Sequence, residues 1–176
     1  ANPGQLKYVS TGFGATNFFS VELLKMLAGI DIMQVPYKGV QQGITDIIGG
    51  QVHVICDQIG SAYPHVRSGR LRGLAVTGPN RALAAPELPT VAEAGVPGYE
   101  ANSWLALVAA GGTPPEIIAR LNAEVSRGLK FPDVRESLLK AGLEPAPNRP
   151  EEMREMLRAE FEKWRTAIRE TGIKAE

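Results

Sequence analysis

The amino-acid sequence predicts an α/β fold built around a largely parallel sheet. Apolar runs of strand length alternate with helix-length segments up to about residue 98, the pattern of strands joined by helices. Glycines such as Gly29 and Gly69 stand where two of these helices would end. The stretch from Lys7 to Asn17 leads from a short strand through two glycines into an apolar helix. This is the layout of an anion-binding loop.

The elements expected in this first part follow in chain order. Four strands are predicted, over residues 6–11, 30–37, 52–57 and 71–77. Three helices are predicted, the first from Ala15 or Thr16 to Ala28 and the others over 41–48 and 61–68. The first helix has an apolar side formed by Phe18, Phe19, Leu23, Leu24 and Leu27.

The second part of the chain is predicted to be mostly helical. Prolines between residues 79 and 97 leave room only for turns such as 90–94, and residues 102–110 form a solitary apolar strand candidate. Thr113 and Glu116 have the spacing of a capping box, with Pro114 at the first position of a helix that ends near Leu129. Helices over 132–141 and 150–171 complete the chain. Three helices then have only one strand to pack on, so we expect exposed apolar faces and self-association.

Composition and charge exclude several classes of protein. The 176 residues are 44% hydrophobic and 22% charged, which is sufficient for a globular core. The net charge of +0 provides no basic field for nucleic acid or an anionic membrane. Cys56 is the single cysteine and lies in an apolar run, so it is predicted to be a packed thiol. No run approaches the roughly 18 apolar residues of a membrane span, and the first residues lack the features of a signal peptide.

The loop at residues 10–16 is the strongest candidate for a binding site. Free N–H groups at a helix start, reinforced by the helix dipole, hold a carboxylate or phosphate without a charged side chain. Gly12 and Gly14 let a ligand approach the backbone, while Ser10, Thr11 and Thr16 offer hydroxyl groups. These residue types indicate binding and not catalysis.

Residues after the next two predicted strands are expected at the same edge of the sheet, because ligands bind outside the carboxyl ends of parallel strands. Tyr37, Lys38 and Gly39 follow the second strand and offer an aromatic surface, a counter-charge and a tight helix entry. The alternative is a solvated lysine beside a tyrosine that packs on the helix. Asp57 ends the third strand, where it accepts hydrogen bonds from a ligand or water, or else caps the helix near Ser61.

Enzyme signatures are missing from the sequence. Gly12 and Gly14 resemble part of a dinucleotide fingerprint, but Asn17 stands in place of the third glycine and no ribose-binding acid follows the second strand. His53 and His65 lie on different elements without metal-ligand spacing. We therefore expect neither enzymatic activity, nor a cofactor, nor a metal.

Segments spread over the whole chain share their order and spacing with one protein family. They are Ala1-Asn-Pro-Gly4, the loop 10–16, VPYKG at 35–39, DIIGGQV at 46–52, LAVT at 74–77, LPTVAE at 88–93 and RLN at 120–122. Together they resemble the Bug (TctC-like) family, the periplasmic solute-binding proteins of tripartite tricarboxylate transporters.

The resemblance implies a type II periplasmic-binding-protein fold, in which two α/β lobes close on a ligand. Residues 1–98 resemble most of the second lobe. Residues 99–176 resemble the strand that returns to the first lobe and the last helices of that lobe, in which Trp104 is expected to serve packing. The chain departs from the family in lacking a signal peptide and the N-terminal half of the first lobe, and so looks like a C-terminal fragment.

The resemblance also implies a function and a set of contacts. The protein is expected to bind a small carboxylic acid in the periplasm and deliver it to membrane transporter subunits. The alternatives are a small-acid sensor that acts through a signalling partner, or a purely structural interaction module. The implied ligand contacts are the backbone of Gly12, Gly14, Ala15 and Thr16, the hydroxyl of Ser10, and nearby Tyr37, Lys38, Gly39 and Asp57, the last through bridging water.

Overall fold

The structure is a computed structural model and describes residues 4–171, with side chains described up to Arg169. These residues divide into two compact units, with the chain boundary between Ser103 and Trp104. The first unit contains two strands and three helices, and the second contains three helices. The elements are β1 (Lys7–Ser10), α1 (Thr16–Ala28), β2 (Met33–Pro36), α2 (Val40–Ile48), α3 (Ile59–Arg67), α4 (Pro115–Gly128), α5 (Pro132–Lys140) and α6 (Pro150–Thr171).

The sheet of the first unit is parallel, as predicted. β1 and β2 pair from Lys7 opposite Met33 to Ser10 opposite Pro36. On the other side of β1, Val54 forms a single parallel bridge with Tyr8. The carboxyl ends of all three segments therefore lie at the same edge of the sheet.

Two of the four strands predicted in this unit, 52–57 and 71–77, are wrong as strands. In the first, the N–H groups of His53 and Val54 both donate to the Lys7 carbonyl, so pairing is confined to one bridge. In the second, Val76 pairs only with Thr90, and its N–H donates to the Pro89 carbonyl at 2.8 Å. Proline has no N–H to donate, so a regular ladder does not continue there.

The strand predicted over residues 102–110 is also wrong. No strand of residues 4–171 pairs with this segment, and its apolar side chains are strongly exposed. An apolar run becomes a strand only where a neighbour supplies backbone hydrogen bonds. The sequence has the composition of a strand, but the described residues provide no partner.

All six predicted helices are confirmed, with ends that shift by one or two residues. Gly29 ends α1 in the left-handed region with φ of +61°, a conformation that glycine adopts without strain. Against β1, a Cβ on Gly43 would lie 2.4 Å from a methyl carbon of Val9, so glycine lets α2 approach the strand closely.

Among the residues described, no helix is both long and apolar enough to cross a membrane.

The predicted capping box at Thr113 and Glu116 is wrong. The residue before a proline is disfavoured in helical conformation, and Pro114 precedes Pro115 with ψ of 140°. The helix therefore begins at Pro115, and the Thr113 hydroxyl donates to the Ala110 carbonyl at 2.8 Å.

A reciprocal pair of the capping-box type occurs instead in the turn at Thr90 and Glu93. The Glu93 N–H donates to the Thr90 hydroxyl at 3.1 Å, and the Thr90 N–H donates to the Glu93 carboxylate at 2.9 Å. Arg81 donates to the same carboxylate, and these contacts hold the Glu93 pKa below its usual value.

A core behind the sheet edge fixes the position of α1. Tyr8, Phe18, Val21 and Ile32 form the buried cluster. The hydroxyl of Tyr99 donates to the Ser20 carbonyl at 2.9 Å in a buried position, which joins the end of this unit to α1. Residues of β1 and of α1 both pack into this cluster, so the two ends of the loop that connects them are held in place.

Candidate functional site

The loop between β1 and α1 is a tight turn with two left-handed residues. Gly12 has φ of +111° and Gly14 has φ of +86°, values that side chains rarely tolerate. The Gly12 N–H donates to the Ser10 hydroxyl at 3.1 Å, and the Ala15 N–H donates to the Gly12 carbonyl at 3.3 Å. No atom lies within 4 Å of where a Cβ would stand on either glycine, so this side of the loop is open.

The start of α1 presents backbone donors without acceptors. Ala15 is the N-cap residue and has no side chain that caps the helix. The N–H groups of Phe18 and Phe19 donate to the Ala15 carbonyl. Across residues 4–171, no hydrogen bond uses the N–H groups of Gly14, Thr16 or Asn17. Three free donors thus lie at the positive end of the helix dipole, an arrangement that suits a carboxylate or phosphate.

Polar side chains hold this loop in place through hydrogen bonds. Ser10 is fully buried, and its hydroxyl also accepts a hydrogen bond from the side-chain amide of Gln34 at 3.0 Å. The side-chain oxygen of Asn17 accepts from the Thr11 hydroxyl at 3.2 Å and from the Thr11 N–H at 3.4 Å. Sequence reasoning missed the role of Gln34, although a polar residue in the middle of a strand was a usable signal.

Tyr37 connects the segment that follows β2 to the end of β1. Its N–H donates to the Ser10 carbonyl at 2.8 Å, directly beyond the last strand pair. Its hydroxyl donates to the Asp46 carboxylate at 2.7 Å on α2, and this hydrogen bond raises the Tyr37 pKa. The contact with Asp46 was also missed, because nothing in the sequence relates a loop residue to a helix residue further along.

Lys38 and Gly39 follow at the same edge. Lys38 is exposed and makes no ion pair with another described residue. Gly39 is the N-cap of α2, with extended backbone that any residue adopts and with no atom within 4 Å of a Cβ position. α2 also begins without a side-chain cap at its N-terminus.

Asp57 lies beyond the Val54 bridge with a buried, unpaired carboxylate oxygen. Its Oδ2 atom is shielded from solvent and accepts no hydrogen bond from the residues described. The alternative role as a helix cap is not found, because α3 begins after Gln58 and the Ser61 N–H donates to the Gln58 carbonyl. A buried carboxylate oxygen of this kind is usually satisfied by a bound water molecule or by a ligand hydroxyl or amine.

Cys56 is a packed thiol, as predicted. It packs against the core cluster, where burial and then the charge of Asp57 raise its pKa to about 11. The thiol is therefore protonated at neutral pH and is a poor nucleophile. Within the described part of the chain, no group of three or more potential ligands could hold a metal ion.

The fold and the site define an α/β unit with an uncapped helix start at the carboxyl edge of a parallel sheet. The family described as the tripartite tricarboxylate transporter family receptor (TctC) matches residues 1–173, and the chain belongs to this family. The resemblance inferred from the sequence is confirmed. The family is described as a receptor, which is a class of binding protein and not of enzyme.

Similar proteins agree with this assignment. The UPF0065 protein in the tcbD-tcbE intergenic region of Pseudomonas sp. is 35% identical, over 99% of this chain and 52% of the relative. The solved structure of R. palustris Rpa4515 with adipate has 37% identity and a TM-score of 0.85, over 98% of this chain and 57% of that one. MatC from Rhodopseudomonas palustris with bound malate has 34% identity and a TM-score of 0.77, over 94% of this chain and 57% of that one. The periplasmic-binding-protein fold class is confirmed, and the chain spans about half the length of the curated relatives it matches.

Proposed function

We propose that this chain is the anion-binding part of a periplasmic receptor that captures a small carboxylic acid and delivers it to a tripartite tricarboxylate-type transporter in the membrane. The observation that carries the proposal is the set of free N–H groups of Gly14, Thr16 and Asn17 at the uncapped start of α1. Membership in the receptor family supports the transport role. The adipate and malate in two similar structures support a carboxylic acid as the ligand class.

The proposed contacts differ in kind. The N–H groups of Gly14, Thr16 and Asn17 bind the ligand carboxylate, since each is free to donate. Gly12 and Ala15 use their own N–H groups inside the loop, so we assign them to loop shape, although direct contact was predicted for both. The direct contact predicted for the Ser10 hydroxyl also stays a prediction, because this buried group already accepts two hydrogen bonds.

We assign supporting roles to the remaining predicted residues. Lys38 would provide a positive charge for the carboxylate, since it makes no ion pair with another residue that the structure describes. The ring of Tyr37 provides a surface whose hydroxyl is fixed by Asp46. Asp57 would repel a carboxylate directly, so we assign it to the other end of the ligand through a hydroxyl group or water.

We propose further that the chain contains parts of two different lobes of a longer receptor. Residues up to about 98 would form most of one lobe, and residues 99–176 would supply a strand and the last helices of the other. The exposed apolar segment 102–110 supports this division, because it has strand composition without a described strand partner.

The proposal is tested by titrating the 176-residue chain with succinate and following its backbone amide resonances. The resonances of Gly14, Thr16 and Asn17 should shift with a common dissociation constant. We expect Gly14→Val to weaken binding by at least about tenfold, equivalent to about 1.4 kcal/mol, because it strains the loop and fills its open side.

The matched control is Gly50→Val, which places the same side chain at another left-handed glycine, with φ of +72°, outside the site. It should leave the dissociation constant unchanged. Shifts confined to residues away from the loop, or equal affinity in Gly14→Val, would contradict the proposed site.

A further inference from the structure

Phe13 is an exposed aromatic residue inside the proposed binding loop. Its side chain is 44% exposed, whereas that of Phe18 behind it is 6% exposed. The residue stands between the two left-handed glycines Gly12 and Gly14. An exposed phenylalanine that contributes this little to the core calls for a separate explanation.

The ring of Phe13 is held in place by two other aromatic rings. Its centroid lies 5.7 Å from that of Phe18 and 5.7 Å from that of Phe19, both in the first turn of α1. The rings of Phe18 and Phe19 in turn contact each other at 5.3 Å. Tilted and edge-on contacts of this kind are favourable and support the ring on one side, so the exposed part of Phe13 is an apolar surface backed by two other rings.

Phe13 is the one large apolar side chain among the loop residues 10–16. No charged side chain occurs between Lys7 and Glu22 in the sequence. The two glycines beside Phe13 leave open space on their side of the chain. A ligand carboxylate held by the N–H groups of Gly14 and Thr16 would thus have its adjoining carbon atoms near the aromatic surface of Phe13.

We propose that Phe13 is a specificity-determining residue that contacts the carbon atoms next to the bound carboxylate. This inference rests on the proposed function and deepens it by naming a substrate class. The preferred acids carry unsubstituted methylene or ring carbons at that position, because a hydroxyl there would lose water without gaining a hydrogen bond from the ring. Acids with a hydroxyl on the adjoining carbon are disfavoured.

Succinate and tartrate test this inference as a matched pair. They have the same chain length and the same two carboxylates, and they differ in the hydroxyl groups on both inner carbons. Dissociation constants are measured from the amide shifts of Gly14 and Thr16 in the whole chain. We expect Phe13→Ala to weaken succinate binding by about fourfold for each methylene group that loses the ring, with a smaller effect on tartrate.

Two further variants separate this role from a purely structural one. Phe13→Leu retains an apolar surface and should preserve the preference for succinate. Phe131→Ala removes a phenylalanine of similar exposure, 48%, from the second unit and should change neither constant.

The possible results separate failure of the inference from failure of the proposed function. An equal loss for both acids in Phe13→Ala would mean that the ring only orders the loop, and it would overturn the inference. Unchanged constants for both acids would overturn it as well. If neither acid shifts Gly14 or Thr16 in the unmodified chain, the proposed function fails and the inference fails with it.

Discussion

Ser10 shows how a single buried hydroxyl can organise a binding loop. Its hydroxyl accepts hydrogen bonds from the Gly12 N–H and from the Gln34 side-chain amide. Its carbonyl accepts a hydrogen bond from the Tyr37 N–H. Each contact ties a different segment to the end of β1. The residue type was recognisable from sequence as polar and close to the glycines, but its burial and its partners depend on β2 lying beside β1.

Cys56 provides a prediction at the residue scale. Its pKa of about 11, raised by burial and by Asp57, means that the native thiol stays protonated at pH 8. We expect iodoacetamide to modify the folded chain slowly at pH 8 and to modify the urea-unfolded chain rapidly. Reaction of the folded chain at the rate of the unfolded chain would contradict the burial of this thiol.

The raised pKa of Cys56 also affects the free energy of unfolding. A pKa above the ordinary value of 9.0 means that the folded state holds its proton more tightly than the unfolded state. The stabilisation from this group is therefore complete below about pH 9 and is lost as the pH rises through about 11. Cys56→Ala should remove this part of the alkaline dependence in urea unfolding.

At the scale of elements, helices and strands differ in how far local sequence specifies them. α1 ends at Gly29 and α2 ends before Gly49, and both stops are local features of the chain. The predicted start of α4 is wrong because Pro115 disfavours helical backbone at Pro114, and this effect is also local. The segment 71–77 does not form a strand for a non-local reason. Pro89, next to the pairing partner Thr90, has no N–H to donate to a ladder.

The packing of α2 against β1 provides a prediction at this scale. Gly43→Ala places a methyl group 2.4 Å from a Val9 methyl carbon, so the helix or the strand must shift. We expect a loss of about 1–3 kcal/mol in the free energy of unfolding, the usual cost of overpacking a core. Urea denaturation followed by circular dichroism measures the loss.

Gly39→Ala is the matched control for stability. Gly39 has extended backbone and open space around its Cβ position, so an alanine there fits without strain. Its free energy of unfolding should stay close to that of the unmodified chain. Equal stability of the two variants would show that Gly43 does not provide the close approach of α2 to β1.

At the scale of the whole molecule, unpartnered apolar surface is the main feature. The side chains of Leu105, Leu107 and Val108 are 77%, 81% and 90% exposed. Monomeric soluble proteins rarely leave contiguous apolar stretches uncovered. Further exposed apolar residues occur in α4 and α6, including Ile117, Leu121, Leu157 and Phe161.

We therefore predict that this chain self-associates in solution. Native mass spectrometry across a concentration series should reveal dimers or larger species, and Leu107→Glu should shift them towards monomer because it places a charge in the apolar stretch. Leu74→Glu is the control, since Leu74 is similarly exposed, at 63%, but lies in the first unit. A monomer at every concentration would contradict this prediction.

The sequence by itself determined the family, the α/β class, the positions of all six helices and the glycine loop before α1. These features follow from local rules: apolar periodicity, glycine stops, and a left-handed backbone that only Gly12 and Gly14 adopt easily. The tertiary structure decided which apolar runs became strands and which loop N–H groups stayed free. Both outcomes depend on hydrogen-bond partners distant in sequence, as Lys7 provides for Val54 and Gln34 for Ser10. A residue's own sequence neighbourhood does not specify such partners, because only the folded chain brings them together.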